Sequence, residues 1–165
     1  MKYPLDKVCV KSGIFCPSCQ RKIESGLVEK HEIEIIKALM DLEENGVKEL
    51  RKGEYSKSDI VNDFVVIILR GEWGLSEIDK LTRKVSEKLG KRTKVLIDTK
   101  DTRRFVEQAL APARVIGLNL VWLPDGSEQI VIRVHRRDKR FLGNTSEWVR
   151  FLSKYLSKPV RIEFT

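Results

Sequence analysis

The chain of 165 residues is 41% hydrophobic and 34% charged, a balance that allows a buried core and excludes disorder over most of its length. No apolar run approaches the roughly 18–20 residues of a membrane-spanning helix, and residues 1–11 lack the apolar stretch of a secretion signal, so a cytoplasmic protein is expected. The net charge of +8 favours a polyanionic partner and is unevenly spread: residues 1–99 hold 19 Lys/Arg against 17 Asp/Glu, residues 100–165 hold 13 against 7.

The cysteines come first in chain order. Cys9 and the pair in Cys16-Pro17-Ser18-Cys19 are the only three in the chain. A C-x-x-C turn can aim two thiolates at one tetrahedral metal. Cys9, Cys16 and Cys19 are therefore candidate ligands of a structural zinc, in a tight knuckle rather than a helix or strand, with the fourth ligand unassigned. His31, the nearest histidine, falls inside a predicted helix. A redox dithiol, a disulfide and three plain thiols are the alternatives.

Residues 27–44 repeat apolar side chains at helical spacing (Val28, Ile35, Ile36, Leu39, Met40, Leu42) and stop at Asn45-Gly46. Residues 47–57 read as extended, with Ser58-Asp59 as punctuation. Residues 61–70 give the strongest strand signal, the run Phe64-Val65-Val66-Ile67-Ile68-Leu69 suiting a strand covered on both faces. Gly71-Glu72-Trp73-Gly74 follows, then a helix presenting Leu75, Ile78, Leu81, Val85 and Leu89 on one face, closed by Gly90, and a strand over 93–97.

Residues 99–111 form a third predicted helix, ended by Pro112. Strands over 115–123 and 129–134 flank Pro124-Asp125-Gly126-Ser127, a hairpin turn by its residues. The basic stretch His135-Arg136-Arg137-Asp138-Lys139-Arg140 leads to Gly143-Asn144-Thr145-Ser146, where Ser146 has the chemistry of a helix N-cap. A helix with Trp148, Val149, Leu152, Tyr155 and Leu156 and a strand over 159–164 complete the chain. Both halves run helix, two strands, glycine turn, helix, strand. The expected organisation is thus an N-terminal Cys segment (1–26) and two copies of one α+β unit, 27–99 and 100–165.

An α-β-β-α-β unit with a glycine turn before its second helix resembles the prokaryotic-type (type II) KH domain. The stretch Ala109-Leu110-Ala111-Pro112-Ala113-Arg114-Val115, leading into Leu120-Val121-Trp122-Leu123-Pro124-Asp125-Gly126, makes the tandem pair similar to archaeal NusA-like proteins. So does the opening 9–20 segment. That family is related to the bacterial transcription elongation and termination factor. The resemblance implies RNA binding through a G-x-x-G loop, where glycine lets a phosphodiester approach the backbone. By position, Gly71, Trp73 and Gly74 would serve the first module, and Gly143 and Asn144 the second. Both loops depart from the pattern: Glu72 puts a negative charge where phosphate should lie, and Ser146 replaces the closing glycine. Trp73 is either a base-stacking platform or a packed side chain.

The arginines offer another route. Arg133, Arg136, Arg137, Lys139 and Arg140 suit forked phosphate contacts, or else a solvated strand edge guarded by charge. Lys91, Arg92 and Lys94 form a secondary patch. No paired carboxylates, nucleophile–base set or phosphate-cradling loop is visible, so a protein without catalytic chemistry is expected. Two functions compete: a factor binding single-stranded or structured RNA in transcription or RNA processing, and a protein-interaction module docking on RNA polymerase or a ribonucleoprotein.

Overall fold

The structure, a computed structural model, describes residues 1–165. It divides into two compact units, Met1–Asp98 and Thr99–Thr165, each mixed α+β around a three-stranded sheet.

In the first unit, helices α1 (Lys7–Ser12) and α2 (Pro17–Glu24) precede α3 (Lys30–Glu44). A 3-10 turn, Lys48–Lys52, leads to strands β1 (Glu54–Val61) and β2 (Phe64–Arg70), followed by α4 (Leu75–Leu89) and β3 (Thr93–Ile97). The sheet order is β1-β2-β3, with β1 antiparallel and β3 parallel to the central β2. Every side chain from Val65 to Leu69 is buried, which explains the unbroken β-branched run. Val65, Ile67 and Leu69 join Ile35, Ile36 and Leu39 of α3 and Leu81 and Val85 of α4 in one core. Each such fully buried side chain is worth roughly 1.5–3 kcal/mol.

The first hairpin turns elsewhere than expected. Ser58-Asp59 lies inside β1, and the chain reverses at Asn62-Asp63, where Val61 pairs with Phe64 and Asn62 takes the left-handed conformation (φ 53°). Ser58 survives inside the sheet because Glu32 of α3 is buried beside it. The Glu32 carboxylate accepts from the Ser58 backbone N–H at 3.0 Å and from the Tyr55 hydroxyl at 2.7 Å. Its other oxygen accepts the Glu29 N–H at the start of α3. One acidic side chain thus satisfies the helix end and the strand together.

Residues 1–26 are part of this unit's core. Leu5, Cys9, Val10 and Cys19 are buried in the same cluster as α3 and the sheet. Lys2 bridges to Glu54 beside β1, and the Tyr3 hydroxyl donates to Glu43 of α3. The cysteines sit on helical turns, not in an isolated knuckle: Cys9 is within α1, Cys16 caps α2, and Cys19 lies in its first turn.

The second unit repeats the layout with α5 (Thr102–Leu110), β4 (Val115–Trp122), β5 (Glu128–Val134), a 3-10 turn (Arg136–Phe141), α6 (Thr145–Leu156) and β6 (Val160–Phe164). Its sheet order is β4-β5-β6, again antiparallel then parallel. Asp101 caps α5, so that helix begins later than the periodicity implied. Asn144, not Ser146, caps α6, accepting the Ser146 N–H at 3.1 Å. The helices meet through aromatics: Phe105 of α5 stacks on Tyr155 of α6 at 4.2 Å between centroids and lies 6.4 Å from Phe151, which Trp148 of the same helix α6 meets edge-on at 6.2 Å.

A close approach in the first unit yields a stability test. The Trp73 ring lies against Gly53 and Gly71, and a Cβ on Gly53 would stand 2.1 Å from the ring and 2.5 Å from the Arg70 carbonyl oxygen. Because a backbone atom is among the obstacles, Gly53→Ala should destabilise the chain by about 1–3 kcal/mol, read as a lower midpoint of chemical denaturation.

Candidate nucleic-acid interface and thiol cluster

The first glycine loop is committed to packing. Trp73 is half-buried, and its indole N–H donates to the Glu49 carbonyl at 2.7 Å. A Cβ on Gly71 would come within 2.7 Å of that ring, and its φ of 152° also disfavours a side chain. The Gly74 N–H, the natural phosphate donor, faces the Glu77 carboxylate at 3.4 Å. Beside the loop an open cleft of about 480 Å³ gathers Lys2, Arg51, Lys52 and Arg70 with Gly53 and Gly71. These cations were not singled out by the sequence patterns, and two are engaged: Lys52 with Glu77 at 2.5 Å, Arg70 with Asp98 at 2.9 Å. With Glu54 also lining the cleft and Glu72 exposed in the loop, local charge is nearly balanced.

The second unit differs. Gly143 and Asn144 are exposed, and the Asn144 carboxamide oxygen accepts from the Ser146 N–H and hydroxyl. Arg136, Arg137, Lys139 and Arg140 are all exposed on the 3-10 turn just before them. What holds the turn is Asp138, only 5% exposed. Its carboxylate accepts from the Arg114 guanidinium at 2.8 and 3.3 Å and from the Arg114 backbone N–H at 2.9 Å. A bidentate, charge-assisted pair fixes orientation as well as distance, so the four neighbouring cations project from a pinned turn. Arg133, exposed on β5, faces Glu163 of β6 at 3.9 Å. Lys139 lies over the Phe164 ring at 5.3 Å and Arg140 over Phe141 at 4.8 Å.

The secondary patch lies at the other end of the first sheet. Arg92 and Lys94 sit over the Phe64 ring at 4.4 and 5.1 Å. Burial, with help from Arg92, pushes the Lys94 ammonium down to about 8. Lys91, Arg92 and Phe64 line an open cleft of about 560 Å³.

The cysteines converge. The Cys9, Cys16 and Cys19 sulfurs and an Asp6 carboxylate oxygen all lie within 4.8 Å of one another, so these four residues could bind a metal ion. Asp6, which the cysteine pattern alone does not reveal, stands three residues before Cys9, at the same spacing as the C-x-x-C pair. His31 is elsewhere, with Nε2 3.2 Å from the Ser58 carbonyl and Nδ1 near Glu29. The Cys19 N–H holds the Cys16 thiol below its ordinary range, while burial pushes the Cys19 thiol up to about 11.

No family model matches the chain, and no curated protein matches it. Among solved structures, the crystal structure of APE1850 is similar at a TM-score of 0.50 and 20% identity, over 78% of this chain and 96% of that one. That likeness describes fold alone.

The Arg114–Asp138 pair predicts acid sensitivity. The Arg114 guanidinium and backbone N–H hold the Asp138 carboxyl down to about 2 from an ordinary 3.8, with a small contribution from His135. The unfolded chain therefore binds more protons between those values, and stability is lost as pH falls through them. Wild type should lose thermal stability between about pH 4 and 2, and Asp138→Asn should be less stable at pH 7 with a flatter profile over that window.

Proposed function

We propose that the chain is a non-catalytic RNA-binding factor built from two KH-type modules, the second carrying most of the affinity, and that it acts on transcripts during elongation, termination or processing. The observation that carries this reading is the pinned turn of the second unit, where buried Asp138 holds Arg136, Arg137, Lys139 and Arg140 outward. In this unit a short helical turn, a glycine segment and a longer helix follow in succession, the order a KH loop requires. In the first unit β2 runs directly into Gly71, and Trp73 is spent on packing. The first module is therefore read as a brace with at most a weak grip on phosphate.

The thiol cluster of the first unit is read as a structural zinc site. Three thiolate donors suit zinc, and the two short helices that carry them have little stability of their own. Zinc's part would be to hold these helices together; Cys9 and Cys19, both buried, would contribute core contacts as well as sulfur.

One observation favours a protein-docking role instead. The edge strand β4 exposes Ile116 (49%), Leu120 (48%) and Trp122 (66%), an apolar row beside unpaired backbone groups.

The two readings separate in a salt series. Binding of a single-stranded RNA to the full chain should weaken log-linearly with salt. Arg136→Ala/Arg137→Ala should bind less tightly, with a slope smaller by about 1.4, the value for two lost single-strand phosphate contacts. Absent or salt-independent binding would overturn the RNA reading in favour of protein docking, and a double variant equal to wild type would remove the pinned turn from the interface.

A further inference from the structure

We infer that Asp6 is the fourth ligand of the N-terminal site, making it a Cys3Asp zinc centre that staples α1 to α2; the inference rests on the zinc reading of that cluster.

Three features point to Asp6. The first is its position. Tetrahedral zinc with Zn–S near 2.3 Å and Zn–O near 2.0–2.2 Å places its donors about 3.5–3.8 Å apart. The four donor atoms already lie within 4.8 Å of one another, and Cys16 Sγ is 3.6 Å from Asp6 Oδ2. Closing the site needs only a small contraction.

The second is what the Asp6 side chain leaves undone. Asp6 occupies the N-cap position of α1, where an aspartate ordinarily accepts a backbone N–H of the first turn. Its side chain makes no cap hydrogen bond and lies beside the sulfurs instead. The carboxylate accepts from the Cys16 thiol at 3.6 Å, which aims it at the sulfur cluster rather than at its own helix.

The third is the surroundings of the sulfurs. Each faces one backbone N–H: Cys19 Sγ that of Asp6 at 3.3 Å, Cys9 Sγ that of Cys16 at 3.3 Å, and Cys16 Sγ that of Cys19 at 3.5 Å. A backbone N–H at each of the three sulfurs fixes where they sit, the orienting role that outer hydrogen bonds play for metal ligands. The Asp6 residue enters twice, through its N–H to a ligand sulfur and through its own carboxylate. Its position is therefore tied to the site from both sides.

The consequence reaches the core. Asp6 and Cys9 belong to the start of α1, Cys16 and Cys19 to the start of α2. Helices of six and eight residues are too short to persist alone. A four-point staple would keep Leu5, Cys9, Val10 and Cys19 seated on α3.

Cobalt(II) titration of the reduced full-length protein, with zinc content measured in parallel, tests this. Wild type should bind one metal per chain with a tetrahedral visible spectrum and a sulfur-to-cobalt charge-transfer band proportional to three thiolates. Asp6→Ala should keep that band and lose at least about tenfold in affinity. Asp6→Cys should raise the band by about a third, reporting a fourth sulfur at bonding distance; this readout decides the matter where Asp6→Ala fails to fold. A wild type that binds neither metal overturns the zinc reading itself. A wild type that binds, with Asp6→Ala unchanged in affinity and Asp6→Cys adding no band, overturns the Asp6 assignment and leaves the zinc reading standing.

Discussion

Two adjacent parallel strands cannot be joined by a tight turn. Their connection must cross a face of the sheet, and here both crossings are helical: α4 between β2 and β3, α6 between β5 and β6. That constraint sets most of the architecture. The strands entering those crossovers, β2 and β5, are central, each with an antiparallel neighbour on one side and a parallel one on the other. The constraint covers one sheet face with the crossover and the preceding helix. It also fixes a junction in each unit where a strand must turn sharply into a helix, and glycine stands at both junctions, Gly71 and Gly143.

The two junctions are then furnished differently, and the difference is chemical rather than topological. In the first unit Trp73 folds back over Gly53, Glu49 takes its N–H, and Glu77 faces the helix-start N–H. The Gly74 N–H, one of the backbone donors a glycine turn can offer to phosphate, is thus taken by the protein itself. In the second unit six residues of 3-10 turn intervene, and the buried group is Asp138. Its negative charge, compensated by Arg114, lies beneath the turn while four cations remain outside. Four of the thirteen cations of residues 100–165 thus sit together on one turn tied to the start of β4.

Much of this order was legible in the sequence because its signals are local. The apolar run 64–69, the helical spacing of Leu75 to Leu89 and the Pro124-Asp125-Gly126-Ser127 turn each carry their own physics within a few residues, and each appears where expected. The errors share a cause. Ser58-Asp59 resembles a turn, and only Glu32, 26 residues earlier in the chain, makes Ser58 acceptable inside a strand. Ser146 resembles an N-cap, but Asn144 takes the role and uses Ser146 as its donor. Among the site residues, the exposure of Arg136, Arg137, Lys139 and Arg140 follows from their charge, while the packing of Trp73 on two glycines is a tertiary fact with no local trace. The buried role of Asp138 within the basic stretch likewise depends on a distant residue, Arg114, 24 positions away.

Glu32, Asp138 and Asp6 use acidic side chains in a common way. Glu32 satisfies a helix end and a strand at once. Asp138 joins a turn to the start of β4 through three donors of one arginine residue. Asp6 presents an N–H to one sulfur and a carboxylate to another. A buried or committed carboxylate is costly unless every lone pair has work, so such groups tolerate few alternative arrangements. In a protein whose surface is rich in interchangeable lysines and arginines, these three acids supply the positional specificity that the cations lack. The basic face can vary in detail without loss of fold; Glu32 and Asp138, each buried and tied to a second element, have far less freedom.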